Sequence, residues 1–302
     1  MRMCQILLLL VASTCLAGPP AGTNAKMTPG GMNHASSLFV FGPGGQDIGG
    51  QDDSIQVIFI RVPATSTSQV VLRIFDAGSD SALDRTHYKW GEQGAVTEFS
   101  VYGGAGAYSA AESHAKRPDW QQTGTQLAAR EFSDEGHGAW TEFGKYDMAS
   151  GERVGSHVFF KVVALARSGD RPNFFRYGVL PGTAEVFTYN LALHTDAKRG
   201  QVMSFDVEVP ARETLIVENN FDLDKSGHLF MATEGAVRKL ATSRTGLWIT
   251  NALTIPVATT DRRYRYDLVR GKQRHGNGRL FFTDSTGNAL KTFLDFSLPQ
   301  PD

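Results

Sequence analysis

Short strand-like segments make up most of the chain, and this pattern constrains its fold more than any other feature. Each segment is rich in β-branched and aromatic residues, and turn-forming residues separate it from the next. The 32 glycines among the 302 residues suit such turns, and few windows keep the apolar period of a helix. The sequence therefore predicts an all-β protein of antiparallel β-sandwiches. The predicted strands are 54–62, 69–75, 97–102, 157–165, 174–180, 185–193, 201–209, 214–218, 229–232, 247–250, 253–257, 263–269, 279–283 and 291–298.

The first 18 residues have the order of a secretory signal peptide. Arg2 precedes an apolar run at 6–12, and the small residues Ala17 and Gly18 follow. No later stretch reaches the roughly 20 apolar residues of a transmembrane helix. We therefore expect a bacterial protein that is secreted, periplasmic or on the cell surface, with no transmembrane segment. A buried N-terminal helix is the alternative.

The two cysteines, Cys4 and Cys15, both lie inside this segment. After cleavage the protein would contain no cysteine, so its core, bound metal ions or both must stabilise it without disulfides. Lipoprotein anchoring at Cys15 is the less favoured alternative, because the three residues before it depart from the usual lipoprotein pattern. The net charge of −1 gives no overall field that would attract a nucleic acid.

An internal similarity predicts two related sandwiches of jelly-roll or C2-like type. Segments 56–64 and 201–211 both end in Val-Pro-Ala, and in each half a second strand then leads into an acidic loop. A chance similarity between two ordinary strand–turn–strand segments is the alternative. The expected parts are a signal peptide at 1–18, a linker at 19–34, a first sandwich at 35–182 and a second sandwich at 183–302. The first sandwich is expected to contain a long loop insertion at 103–155, with a helical turn at 126–130.

The strongest candidate metal site is the acidic loop of the second half. Asp222, Asp224 and Ser226 alternate along it and Gly227 follows, so that hard oxygen ligands can turn inward around Ca²⁺. This order resembles the first half of an EF-hand calcium loop. It departs from that loop at the twelfth position, which is Thr233, and in having strands on both sides. An ordinary Asp/Gly turn is the alternative.

The acidic loop of the first half contains Asp76, Asp80 and Asp84, and Asp170 and Asn173 lie in a turn that could join them. Three carboxylates buried together without a cation would be costly. With the strand rhythm, these loops resemble those of bacterial pre-peptidase C-terminal modules and C2-type β-sandwiches. That resemblance implies bound calcium at one end of the sandwich. Solvated surface carboxylates are the alternative.

Three tryptophans are candidates for binding a sugar. Trp90, Trp120 and Trp140 lie in polar loop contexts, where an exposed ring can stack on a sugar face. Rings in such loops also anchor the loop to the core, and this alternative stays open. Trp248, inside a strand-like segment, is expected to belong to the core.

Catalytic motifs are weak. The chain lacks His-Glu-x-x-His, Gly-x-Ser-x-Gly and the P-loop pattern. The basic run at 262–266 offers Arg265 and Tyr266, and His275 follows; together they could serve a polysaccharide lyase that abstracts a proton. Strand alternation would however place Arg265 and Tyr266 on opposite faces, and a solvated strand face is the alternative.

The sequence thus favours a secreted, non-catalytic binding protein with calcium-stabilised loops. The expected partner is an extracellular glycan or a cell-surface component, with no nucleic acid. One alternative is a secreted lyase-type enzyme that acts on an acidic polysaccharide. Another is a structural or adhesion component of a surface assembly.

Overall fold

The computed structural model describes residues 37–48, 53–79, 84, 94–114, 123–133, 138–195, 202–223, 227–233, 235–271 and 276–294. In these ranges 19 strands form, and helical structure is limited to short 3₁₀ turns at Pro43–Ile48, Ala111–His114 and Met148–Ser150. The all-β prediction is confirmed. The predicted signal peptide, the linker at 19–34 and Cys15 lie outside the described residues.

The strands follow one another along the chain with short connections. They are β1 (Ser37–Phe41), β2 (Ile55–Pro63), β3 (Val70–Phe75), β4 (Val96–Gly103), β5 (Thr125–Phe132), β6 (Trp140–Tyr146), β7 (Glu152–Val154), β8 (His157–Ser168), β9 (Pro172–Leu180), β10 (Glu185–Thr188), β11 (Leu191–Thr195), β12 (Val202–Val209), β13 (Leu215–Phe221), β14 (Gly227–Thr233), β15 (Ala236–Lys239), β16 (Trp248–Thr254), β17 (Arg262–Arg270), β18 (Gly276–Thr283) and β19 (Lys291–Leu294).

The strands form two large antiparallel sheets. Sheet A has eight strands in the order β16-β13-β18-β11-β1-β9-β3-β6. Sheet B has eleven, in the order β15-β14-β17-β12-β19-β10-β2-β8-β4-β5, with β7 paired to β8 outside this path. Each sheet therefore contains strands from both predicted halves. The halves meet where β1 pairs with β11 in sheet A and where β10 pairs with β19 in sheet B.

Each strand order reads the same from either end once strands of the two halves are matched. The matched pairs are β1 with β11, β2 with β12, β3 with β13, β4 with β14, β5 with β15, β6 with β16, β8 with β17, β9 with β18 and β10 with β19. The registers then assign each residue a counterpart. Leu38 pairs with its counterpart Leu193, and Phe187 with its counterpart Phe293. A pseudo-two-fold axis therefore passes through both junctions, which supports the interpretation of two related halves.

Alternating residues of the two sheets pack against each other to form the main core. In β12, for example, Met203, Phe205, Val207 and Val209 face inward and are buried, while the residues between them are more exposed. The core cluster runs without a break from Leu38 in the first half to Leu290 in the second. The division into two sandwich domains stays a prediction, because both sheets and this core extend through both halves.

Charged side chains cross the junction on the outer face of sheet B. Arg61 and Glu208 are counterparts, and the Arg61 Nη1 lies 3.3 Å from Glu208 Oε2. Arg61 also pairs with Glu185 at 2.7 Å, and Lys291 pairs with Glu208 at 2.8 Å. Burial opposes ionisation of Glu208, but hydrogen bonds and charges from Lys291 and Arg61 outweigh it and lower the pKa of this carboxyl. These contacts join four strands from both halves.

The described part of 103–155, which the sequence predicts to be a loop insertion, contains regular secondary structure. β5, β6 and β7 all lie within it. The predicted helical turn at 126–130 is wrong, since these residues belong to β5. Pairing with β4 decides the conformation there, and Leu127 and Ala128 pack against the main core. Tertiary contacts have overridden a local helical preference.

Within this region, residues 104–114 fold over the outer face of sheet B. The buried Glu152 carboxylate accepts backbone hydrogen bonds from Gly106 (3.0 Å) and Ser109 (2.9 Å). The Tyr108 ring stacks on Phe159 at 3.9 Å between centroids. Beneath the segment, Lys161 is fully buried, and burial lowers the pKa of its ammonium group to about 8. The segment is therefore fixed by buried polar contacts.

Continuous sheets and a shared core imply that the two halves unfold together. We expect differential scanning calorimetry of the full chain to give one transition, with equal calorimetric and van't Hoff enthalpies. Phe293→Ala removes a buried ring at the pseudo-two-fold axis and should destabilise the whole transition by about 3–5 kcal/mol. Two resolved transitions, of which only one responds to Phe293→Ala, would contradict this expectation.

Candidate functional site

An exposed tryptophan lies on the outer face of sheet A in the second half. The Trp248 side chain is 49% exposed. Its ring lies 5.1 Å from that of Phe221 and 5.4 Å from that of Phe281, measured between centroids. We call these three rings, together with Asn219 and Thr250 beside them, the C-terminal platform.

The register of three neighbouring strands builds this platform. Trp248 of β16 lies opposite Phe221 of β13, and Phe281 of β18 lies opposite Asn219. In β13 the residues Ile216, Glu218 and Asn220 face the core, so Phe221 and Asn219 face outward with their partners. The expectation that Trp248 belongs to the core is therefore wrong.

Polar groups lie directly beside the rings. The Thr250 hydroxyl donates a hydrogen bond to Asn219 Oδ1 at 2.8 Å. Next to Phe221, Arg279 Nη1 lies 2.5 Å from Asp53 Oδ1, and its Nε donates to Asn190 Oδ1 at 2.8 Å. The guanidinium charge is therefore neutralised within the protein, and the C-terminal platform offers rings, an amide and a hydroxyl group.

The first half carries a related group around a predicted ligand-binding residue. Trp140 of β6 lies opposite Phe75 of β3, with ring centroids 5.5 Å apart. The Arg176 guanidinium lies 5.5 Å from the centre of the Phe75 ring. Trp140 is half-buried. The two other predicted sugar-stacking residues, Trp90 and Trp120, lie outside the described residues.

The two aromatic groups occupy matching positions of the repeat. Counterparts are Trp140 and Trp248, Phe75 and Phe221, and Arg176 and Arg279. Each phenylalanine is followed by an aspartate in the left-handed backbone region, with φ of 57° at Asp76 and 54° at Asp222. Each tryptophan follows a glycine two residues earlier that also has positive φ, Gly138 and Gly246. The same strand-end structure therefore holds both tryptophans.

Two predicted calcium ligands of the first loop accept hydrogen bonds from backbone N–H groups in the described structure. Asp76 is fully buried, and its Oδ1 accepts a hydrogen bond from the Gly138 N–H at 2.7 Å. Asp84 is also buried and accepts one from the Phe174 N–H at 2.7 Å. Asn173 donates to the Ala77 carbonyl and to the Thr97 hydroxyl. Asp80 lies outside the described residues.

The second acidic loop is described only in part. Asp222 directly follows β13, whereas Asp224 and Ser226 lie outside the described residues. Among the residues that the structure does describe, no three His, Cys, Asp or Glu side chains are grouped so that they could hold a metal ion. Calcium binding therefore stays a prediction, and it concerns chiefly this loop.

Calorimetric unfolding with excess Ca²⁺ and with a chelator tests the calcium prediction. Bound calcium stabilises the folded chain by mass action, so the melting temperature should be higher with Ca²⁺. Asp224→Asn should abolish the difference, and Asp84→Asn should preserve it at a lower melting temperature. Equal melting temperatures of the wild-type chain in both buffers would contradict the prediction that the chain binds calcium.

The two described residues of the lyase alternative do not converge. Tyr266 is fully buried between the sheets, whereas Arg265 lies on the outer face of β17. There Arg265 donates to the Ser204 hydroxyl at 2.6 Å and pairs with Asp267. His275 lies outside the described residues. The alternation expected from the sequence thus separates the arginine from the tyrosine.

The second half also contains a buried carboxyl group that is not among the site residues predicted from the sequence. Glu218 is fully buried, and its Oε2 accepts hydrogen bonds from Asn220 Nδ2 (3.0 Å) and Asn251 Nδ2 (2.6 Å). Its Oε1 is buried and has no hydrogen-bond partner among the described residues. Burial raises the pKa of Glu218 to about 7, against the effect of the two amides. Its counterpart in the first half is Leu72, and strand alternation alone would have placed position 218 inward.

The Glu218 network fixes the chain that leads into the C-terminal platform. Both amides also donate to the Ala241 carbonyl, and Ser243 N–H donates to Asn220 Oδ1 at 2.7 Å. The chain then turns at Gly246 and enters β16 at Trp248. A buried polar network of this kind specifies one arrangement of the segment.

The raised pKa of Glu218 makes stability depend on pH. The folded state keeps a proton that the unfolded state has lost, so stability falls as pH rises from about 4.5 through about 7. Glu218→Gln should remove this loss and stabilise the chain at pH 8 by on the order of 3 kcal/mol relative to wild type. Urea unfolding at pH 5 and pH 8 measures it, with Glu131→Gln on the exposed face of β5 as the control. An equal effect of Glu218→Gln at both pH values would contradict the assignment.

Comparisons with known proteins add no relative. Neither a protein-family model nor a curated protein sequence matches this chain. In the part of the chain that the structure describes, none of the helical segments is long and apolar enough to cross a membrane.

Proposed function

We propose that this protein is a secreted, non-catalytic glycan-binding protein and that the C-terminal platform is its binding site. The observation that carries the proposal is the exposed Trp248 ring, held beside Phe221 and Phe281 on the outer face of sheet A. The proposal of secretion is supported by the signal-peptide-like order of residues 1–18. Calcium binding by the acidic loops is a separate proposal, and glycan binding does not depend on it.

The chemistry of the platform fits a sugar. A pyranose ring has a face of C–H groups that packs on an aromatic ring, and hydroxyl groups at its edge that need hydrogen-bond partners. Trp248 and its two neighbouring rings supply the apolar surface. Asn219 and Thr250 supply an amide and a hydroxyl within the same outer row. Since Arg279 is paired with Asp53, the C-terminal platform best suits a neutral sugar.

The rigid setting of the rings also supports binding. Trp248 lies on a paired strand, and the Glu218 network fixes the preceding segment through Ala241 and Ser243. A platform that is already ordered loses little conformational entropy when a ligand binds. By contrast, no observation favours the lyase alternative, because Arg265 and Tyr266 lie on opposite faces of β17.

A glycan microarray followed by isothermal titration calorimetry tests the proposal on the full chain. We expect binding to at least one neutral oligosaccharide, and Trp248→Ala should weaken it at least tenfold, about 1.4 kcal/mol. Val237→Ala is the control: it truncates an exposed apolar side chain on sheet B, away from the C-terminal platform on sheet A, and should bind as wild type. Absence of any glycan ligand, or unchanged binding by Trp248→Ala, would contradict the proposal.

A further inference from the structure

The repeat places a second platform in the first half, and its charge differs from that of the first. Around Trp140 and Phe75, the counterparts of the uncharged residues Asn219, Thr250 and Ala252 are charged. They are Arg73, Glu142 and Lys145, respectively. We call Trp140, Phe75 and these three charged residues the N-terminal platform.

The charged side chains of the N-terminal platform are held only loosely by one another. Arg73 Nη2 lies 3.8 Å from Glu142 Oε2, and Lys145 Nζ lies 3.4 Å from Glu142 Oε1. All three side chains are about half exposed, and exposed pairs of this kind contribute about 0–1 kcal/mol. Two cations around one carboxylate leave a net positive charge at this position.

One donor of the N-terminal platform lacks a partner. The Arg73 Nε is buried and has no hydrogen-bond acceptor among the residues that the structure describes. A guanidinium group binds a carboxylate with two parallel N–H donors, of which Nε–H is commonly one. The Arg73 side chain as a whole is 43% exposed, so its guanidinium group can contact a ligand carboxylate from the solvent side, while Lys145 supplies a second positive charge.

We propose that the N-terminal platform is a second ligand site and that it takes an acidic sugar, one with a uronate carboxylate. The sugar ring packs on Trp140 and its carboxylate is bound by Arg73 and Lys145. This inference rests on the proposed function, because it assumes that the aromatic groups of the repeat bind sugars. The chain would then carry two sites of different selectivity, a neutral one and an acidic one, at opposite edges of the eight-stranded sheet A.

Strand spacing keeps the two sites apart. β6 and β16 are the two outermost strands of sheet A, separated by seven strand-to-strand steps. At about 4.8 Å per step, the platforms lie roughly 34 Å apart along the sheet. A short oligosaccharide cannot reach both, so each site can be titrated separately.

Isothermal titration calorimetry of the full chain with a short oligouronate tests the inference, with the methyl ester of the same oligosaccharide as the uncharged probe. We expect the acid to bind, and added salt to weaken its binding. Arg73→Gln and Lys145→Gln should each weaken binding of the acid about tenfold or more and leave binding of a neutral oligosaccharide unchanged. Trp248→Ala should weaken binding of the neutral oligosaccharide and bind the acid as the wild-type chain does.

Each other outcome overturns a distinct claim. If neutral sugars bind but the oligouronate does not, the N-terminal platform is not an acidic-sugar site, while the proposed function stands. If Arg73→Gln and Lys145→Gln bind the acid as wild type does, the assignment of the site is wrong. If Trp248→Ala loses both ligands, there is one site and not two. If neither ligand binds, the proposed function fails and this inference fails with it.

Discussion

Backbone pairing at the two junctions of the halves is the constraint on which the rest of the structure depends. β1 with β11 and β10 with β19 turn two groups of strands into two continuous sheets. At the second junction the Phe187 and Phe293 rings lie 5.2 Å apart, and Arg61 and Glu208 join across it. A sandwich built this way has fewer free edges than two separate sandwiches would have, which limits unwanted strand pairing. The same continuous sheets stabilise the described part of the chain, which contains no cysteine and therefore no disulfide.

The pseudo-two-fold relation explains why aromatic groups occur at both outer edges of sheet A. In each half a phenylalanine ends a strand, an aspartate in the left-handed region follows, and a tryptophan on the neighbouring strand packs on the phenylalanine. The backbone structure that both halves share fixes the rings, whereas the residues two positions away on the same face of each strand differ between the halves. Arg73 and Glu142 stand where the other half has Asn219 and Thr250. Related platforms on one scaffold can thus acquire different ligands.

Most strands could be predicted because they are runs of β-branched and aromatic residues, which alternate with polar residues in β12 and are nearly continuous in β2 and β8. The break between β10 and β11 could not, since the chain changes sheets at Asn190, whose carbonyl accepts hydrogen bonds from the Gln56 and Thr188 side chains. β5 was missed because its polar residues lie on an edge strand, where alternation is weak. Trp248 was assigned to the core because its segment is apolar, and only the register with Phe221 shows that it faces outward. Both repeated motifs, Phe-Asp and Gly-x-Trp, are visible in the sequence, but their pairing depends on long-range register.

We propose that an ordered, outward-facing Trp248 binds a neutral sugar. The most direct test of this proposal is a nuclear magnetic resonance titration of the indole N–H signals of the four tryptophans, with Trp248→Phe used to assign the relevant signal. We expect a neutral oligosaccharide to shift the Trp248 signal in a saturable way and to leave the Trp140 signal in place. A Trp248 signal that does not move while the sugar binds elsewhere would contradict it.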